Sequence, residues 1–298
     1  MDIKIQYHSV DHLRSLAGIA KTVMASKLGV ASHGTDDQFG VDALETFCSE
    51  HNIRVVYFDF SGRKQNAEAL LFRVGAQGWL IAVNEEVLKL NPFAQAVYLK
   101  SLFCHELAHI VHGHDGALLT PANATDLNAV IRAVWTYAPY LVNAKERELA
   151  AEVFAAALGF WPHADFVRLV KRKRADFRSI ANTYKMPVDC AVKWALIQFH
   201  DQLKMHYIKR DEDAKQIIDY YGPDLVKDIG IDVFGLPWTA AHEASTTQKD
   251  SAKLDRAGDG SKYACIAFYE KKEAGFLRAS NKVIVAGFFR QDFEAFSM

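Results

Sequence analysis

The 298-residue chain is half hydrophobic, 24% charged and almost neutral, with a formal net charge of −1. This charge balance excludes a chain that is basic enough overall to be drawn to nucleic acid or to an anionic membrane. The N-terminus has no long apolar run behind a basic tip, so we expect no signal peptide and no membrane span, and we predict a cytoplasmic protein. Four cysteines without paired spacing indicate reduced thiols.

Apolar spacing predicts two helices at the start of the chain, over residues 9–28 and 36–51. Strands are predicted next, over 53–60, 68–74 and 79–84, and a helix from Pro92 to His112 follows them directly. The pattern then predicts helices over 126–137, 145–158, 166–184, 188–207 and 211–221, a linker over 230–261, and strands over 263–269, 275–279 and 282–289.

This order predicts an α+β fold with two parts. Residues 1–207 form a mostly helical domain with its core at about 43–200, in which a small, mainly antiparallel three-stranded sheet packs on the Pro92–His112 helix. Residues 208–298 form a C-terminal extension, in which the linker precedes a small β unit at 263–290.

The Pro92–His112 helix carries the motif His105-Glu106-Leu107-Ala108-His109. Asn91 is a good N-cap, Pro92 suits the first helical position, and Gly113 offers a left-handed stop. Two histidines four residues apart lie on one face of a helix, so both imidazoles can bind one metal ion with Glu106 beside it. This is the signature of a zinc hydrolase, in which the glutamate is the general base.

A catalytic zinc of this kind takes a third protein ligand and keeps one position for water. The best candidate is Glu148 on the next strong helix, where Glu152 shares its face and can orient one of the histidines. Glu146 and Glu152 are alternatives to Glu148 as the ligand. His112 lies seven residues after His105 on the same stripe, so it is a further candidate ligand or a residue of the rim.

The segments before and after the motif helix carry further sequence features that match a known family. A strand over 79–84 ends in Asn84, the stretch 103–114 carries the histidine motif, and Glu148 is followed by Ala151, Phe154, Ala155 and Ala156. In these features the chain resembles the ImmA/IrrE family of bacterial metallopeptidases over about residues 43–200. Residues 179–189 are similar to the helix-turn-helix-like segment that closes the family's domain. The family's usual Asn or Asp is Glu152 here, and the connector between the motifs is longer than usual.

The resemblance implies a zinc-dependent, site-specific endopeptidase. Its substrate would be a helix-turn-helix transcriptional repressor of the XRE/Cro type, and cleavage would release genes of mobile elements or of stress responses. The resemblance and the strand pattern together suggest that the strand with Trp79, Ile81 and Val83 holds an extended substrate by strand addition.

A DNA-binding transcriptional regulator is the alternative from another class. Its basis is a basic run just before the helix-turn-helix-like segment, which could contact phosphates. A zinc-holding sensor or antitoxin-like protein with little hydrolysis is a third reading. The basic run comprises Arg168, Lys171, Arg172, Lys173, Arg174 and Arg178.

Overall fold

The fold is a mixture of helices and small sheets, as a computed structural model of the chain describes it. The predicted helix over 126–137 and the predicted strand over 275–279 lie outside the described residues. The described residues are 6–27, 40–60, 69–74, 78–113, 117–119, 144–203, 205–210, 217–221, 239–256, 262–270 and 282–289.

The described residues divide into two compact units. The motif unit takes those from Ala20 to Pro162, and the C-terminal unit takes those up to Ile19 and those from His163 onward. Helix α1 (Val10–Lys27) spans the division and agrees with the predicted helix over 9–28. The units therefore do not follow the predicted boundary at Tyr207, because the helices after Pro162 pack with the C-terminal strands.

The motif unit contains a four-stranded sheet in the order β2-β4-β3-β5. Strands β2 (Ile53–Phe58), β3 (Ala69–Val74) and β4 (Gly78–Asn84) are the three predicted strands. The fourth, β5 (Ala117–Leu119), was missed because it is only three residues long. The prediction of a mainly antiparallel sheet was wrong: β3 and β4 are antiparallel, but β4 pairs with β2 and β3 pairs with β5 in parallel.

The helices of the motif unit include α2 (Val41–Glu50) and α3 (Pro92–Val111), which carries the histidine motif. The Asn91 side chain accepts a hydrogen bond from the Ala94 N–H, and Gly113 has the left-handed φ of 68° that a helix stop requires. The predicted caps are thus confirmed. Helix α4 (Ala144–Gly159) packs against α3, and both helices carry small buried residues such as Ala108, Ala151 and Ala155.

The C-terminal unit contains a six-stranded sheet in the order β1-β7-β6-β10-β9-β8. Most neighbours are antiparallel, and β1 pairs with β7 in parallel. The small β unit that the sequence predicted is therefore larger than expected and draws in a strand from the N-terminus. Its strands are β1 (Gln6–His8), β6 (His206–Arg210), β7 (Ile217–Tyr221), β8 (Ser251–Arg256), β9 (Lys262–Glu270) and β10 (Lys282–Phe289).

Several predictions for this unit were wrong. The predicted helix over 211–221 contains β7 instead, whose Ile and Tyr residues favour a strand. The predicted linker contains a helix and β8, a polar strand at the edge of the sheet. The predicted helix over 166–184 is two helices, because Arg174 and Ala175 both adopt positive φ. The helices of the unit are α5 (His163–Arg172), α6 (Phe177–Tyr184), α7 (Val188–Leu203) and α8 (Thr239–Thr247).

The predicted helix-turn-helix-like segment, residues 179–189, falls on α6 and the start of α7, and both helices pack against the C-terminal sheet. Phe177 of α6 stacks edge-on against Phe268 with ring centroids 6.2 Å apart. The Lys193 ammonium of α7 lies 5.4 Å from the centre of the Tyr207 ring. From Val188 to His200, no residue of α7 is exposed. Helix α7 is therefore a layer of the core.

No single helix among the described residues is long and apolar enough to cross a membrane, although one bent pair of helices meets those criteria together by length and composition. All four cysteines are free thiols. Cys104, next to the first motif histidine, is fully buried.

Candidate metal centre

The two motif histidines lie side by side on α3. The Nε2 atoms of His105 and His109 are 3.1 Å apart, and their rings meet nearly edge-on at an interplanar angle of 77°. Both side chains are partly buried, at 25% and 13% exposure. The four-residue spacing on a capped helix thus directs both imidazole nitrogens to the same point.

Glu148 of α4 reaches the same point from the facing helix. Its Oε2 lies 3.1 Å from His105 Nε2, and its Oε1 lies 3.5 Å from His109 Nε2. Donors about 2.0–2.2 Å from a tetrahedral zinc ion lie roughly 3.3–3.6 Å from one another. The observed separations of 3.1 to 3.5 Å are close to that geometry. His105, His109 and Glu148 form a group that could hold a metal ion.

Glu106, the glutamate of the motif, is 8% exposed and follows His105 directly. Burial raises the pKa of its carboxyl to about 7, against the attraction of His105 and with a further rise from the negative charge of Glu148. A carboxyl that gains and loses its proton near neutral pH has the property that a general base or acid requires.

The electrostatics of the site favour a cation. Burial lowers the pKa of His105, but the hydrogen bond to Glu148 and the negative charges of Glu106, Glu148 and Glu152 outweigh burial and raise this pKa overall. The negative field that raises this pKa also attracts a divalent ion. The donor set of two imidazoles and one carboxylate is one that zinc accepts.

The alternative ligands are arranged differently. Among the described residues, neither Glu146 nor Glu152 belongs to the group that could hold a metal ion. Glu152 is close enough for its charge to raise the pKa of His105. Its predicted role in orienting a histidine stays a prediction. His112 caps the C-terminus of α3 and is also outside the group, and its ring packs edge-on against Phe154 with centroids 5.5 Å apart.

The predicted substrate strand does not have a free edge. Strand β4 pairs with β2 on one side and with β3 on the other over its whole length. Ile81 and Val83 are fully buried. Trp79 is partly buried, and its backbone N–H donates a hydrogen bond to the Asn52 carbonyl. Strand addition to β4 is therefore excluded, and Ile81 and Val83 belong to the core of the sheet.

Sequence reasoning missed a second cluster of charged residues, which lies in the C-terminal unit. Arg178 of α6 donates to both carboxylate oxygens of Asp250, each at 3.0 Å, and to Glu270 at 2.5 Å. Its partners lie 72 and 92 residues away along the chain, so no local signal could have shown them. The guanidinium of Arg178 is therefore engaged by Asp250 and Glu270, and Arg178 does not belong with the residues predicted to contact phosphates.

Comparisons with known proteins bear on the fold. No family model matches the chain, and no curated protein matches it. The fold is similar to the solved structure of a Mycobacterium tuberculosis transcriptional regulator, with a TM-score of 0.61 and 15% identity over 96% of this chain and 78% of that one. At this identity the likeness shows a shared fold alone.

Proposed function

We propose that the protein is a zinc-dependent endopeptidase. The observation that carries the proposal is the convergence of His105, His109 and Glu148 within 3.5 Å of one another, with the buried carboxyl of Glu106 next to His105. Two imidazoles and a carboxylate are the three-ligand set of several catalytic zinc sites, and a fourth position then remains for water and substrate.

Each residue of the site has a role in this proposal. His105, His109 and Glu148 would hold the ion, which supplies polarisation of the peptide carbonyl and acidification of a water molecule. Glu106 takes a proton from the attacking water and donates it to the leaving amine. Burial of Glu106 also keeps bulk water from competing for that proton.

The substrate class comes from the resemblance to ImmA/IrrE metallopeptidases. We infer a helix-turn-helix repressor of the XRE/Cro type, whose cleavage would derepress mobile-element or stress-response genes. Because β4 is paired on both sides, the substrate segment must bind elsewhere around the α3–α4 site.

The experiment uses Glu106→Gln, which removes the proton acceptor and keeps the size of the side chain. Zinc content of the purified protein and cleavage of a repressor encoded next to its gene are both measured. We expect zinc to be retained and cleavage to fall by at least about 100-fold, the usual contribution of a general base. Glu146→Gln, outside the group of ligands, is the control and should cleave normally. Unchanged cleavage by the Glu106→Gln protein would refute the role of Glu106 as the general base.

A second candidate function is a zinc-holding transcriptional regulator without hydrolysis. It is supported by the fold that the chain shares with the Mycobacterium tuberculosis transcriptional regulator. Helix α7 cannot supply a recognition helix in its described conformation, because a helix that enters the major groove needs an exposed face. Zinc retention together with complete absence of cleavage of every neighbouring repressor would favour this candidate.

A further inference from the structure

A cluster of exposed cations lies where α5 ends. Four consecutive residues, from Lys171 to Arg174, are exposed, and Arg168 extends the cluster by one helical turn. Asp165 pairs with Arg168, and Asp176 caps α6, where it accepts the Ser179 N–H. We name this cluster the basic corner; it comprises Arg168, Lys171, Arg172, Lys173 and Arg174.

The corner is built on a strongly two-sided helix. Phe166 and Val170 of α5 are fully buried, and Arg168, Lys171 and Arg172 occupy the opposite, exposed side at spacings of three and four residues. Arg168 and Arg172 are therefore about 6 Å apart along the helix axis. Two steps along one DNA strand cover roughly 6.8 Å. Arg168 and Arg172 can thus face two phosphates that are two steps apart on one strand.

Arg174 stands at a position that usually holds glycine. It has a φ of 49°, its N–H bonds to the Lys171 carbonyl, and the Ala175 N–H bonds to the Val170 carbonyl, which together form a Schellman turn. A left-handed non-glycine residue costs about 1–2 kcal/mol. Lys171 and Arg172 already complement the dipole at the end of α5. Arg174 therefore adds one more exposed cation at the point where α5 ends.

The residues around the basic corner favour nucleic acid over an anionic membrane as its binding partner. A helix that binds a membrane surface inserts an apolar face, but the apolar face of α5 is buried in the protein. The exposed large hydrophobic residues of the described chain lie outside the corner, at Ile19, Leu88 and Phe93. The corner therefore offers charge without an apolar anchor, which fits a phosphate backbone.

We propose that the basic corner binds the phosphate backbone of duplex DNA without sequence preference. The absence of base contacts follows from α7, which has no exposed residue from Val188 to His200 and cannot enter a groove. The biological purpose of this binding rests on the proposed function. A protease that cleaves DNA-binding repressors would be concentrated near its substrates by an affinity for DNA. The binding itself does not depend on hydrolysis.

The test titrates a labelled 24-base-pair duplex of random sequence with the full-length protein at 50, 100 and 200 mM salt. The corner variant carries Lys171→Gln, Arg172→Gln, Lys173→Gln and Arg174→Gln. Four phosphate contacts give a log–log salt slope of about −3.6, so wild-type affinity should fall by about 100-fold across this range. The corner variant should bind at least about 100-fold more weakly at 50 mM salt and should lose most of the salt dependence.

Lys185→Gln is the matched control, because Lys185 is an exposed cation with a φ of 50° in the equivalent turn after α6. It should bind DNA within about threefold of wild type, and circular dichroism should show that both variants are folded. Glu106→Gln should bind DNA normally, which separates this proposal from the proposed protease activity. Equal binding by wild type and corner variant would overturn the proposal. Binding to vesicles of anionic lipid without binding to DNA would overturn it as well.

Discussion

Glu148 Oε2 lies 3.1 Å from His105 Nε2, although the two residues are 43 positions apart in the sequence. The contact exists because α3 and α4 pack against each other, which brings a residue of the second helix to the histidines of the first. The metal-binding group thus depends on the packing of two helices as well as on the motif.

The first prediction concerns the affinity for zinc. Glu148→Ala removes one of the three donors, so zinc affinity should fall by more than the roughly 10- to 100-fold that loss of an outer partner costs. Competition with a chromophoric chelator measures it. Glu146→Ala, on the same helix and outside the group, should keep wild-type affinity. Equal affinities of the two variants would contradict the assignment of Glu148.

The site was largely predictable because its signals are local. The four-residue spacing of His105 and His109 needs only helical geometry, and the caps at Asn91 and Gly113 define the helix that carries them. The sequence could not decide among the glutamates of α4, because that choice depends on the rotation of α4 about its axis against α3. Only the three-dimensional packing brings Glu148 to the histidines.

The second prediction distinguishes a core strand from a substrate-binding strand. Ile81 is fully buried in the middle of β4, so Ile81→Val should lower the free energy of unfolding by about 0.5–1.5 kcal/mol. Zinc affinity and substrate KM should stay at their wild-type values. Chemical denaturation and steady-state cleavage measure these effects. Unchanged stability together with a raised KM would restore the interpretation of β4 as the strand that holds the substrate.

The third prediction tests the Arg178 cluster. Arg178→Gln leaves Asp250 and Glu270 without their guanidinium partner. Loss of one partner of a buried ion pair costs roughly 3–5 kcal/mol, and since Arg178 is 35% exposed we expect a smaller loss of about 2 kcal/mol. Denaturant unfolding measures it. Arg172→Gln, at an exposed arginine of the same run, should change stability by less than about 0.5 kcal/mol.

The C-terminal unit was harder to predict than the motif unit because its contacts are distant in sequence. The strand β1 pairs with β7, which comes more than two hundred residues later in the chain. No local sequence pattern in either strand identifies the strand with which it pairs. The apolar residues of β7 also match a helical spacing, so the local pattern was ambiguous. The sheet against which α7 packs is a product of these distant pairings, so the burial of α7 could not be read from its own sequence.

The fourth prediction is a pH dependence of stability that arises from His206, a fully buried residue of β6. Burial, together with a smaller effect of the positive charge of His200, lowers the pKa of His206 from 6.5 to about 3. Between these two values the unfolded chain binds a proton at this position and the folded chain does not. The free energy of unfolding should therefore rise with pH in this window, by about 1.4 kcal/mol per pH unit, and level off above about pH 7.

His206→Gln removes this titration. Unfolding of wild type and variant is measured in chelator between pH 4 and 8, so that zinc binding does not contribute and titrations shared by both proteins cancel in the difference. The stability of wild type relative to the variant should increase by about 1.4 kcal/mol per unit between pH 4 and 5.5. Parallel curves for wild type and the His206→Gln protein would contradict the prediction, because they would show that His206 is protonated equally in the folded and unfolded states.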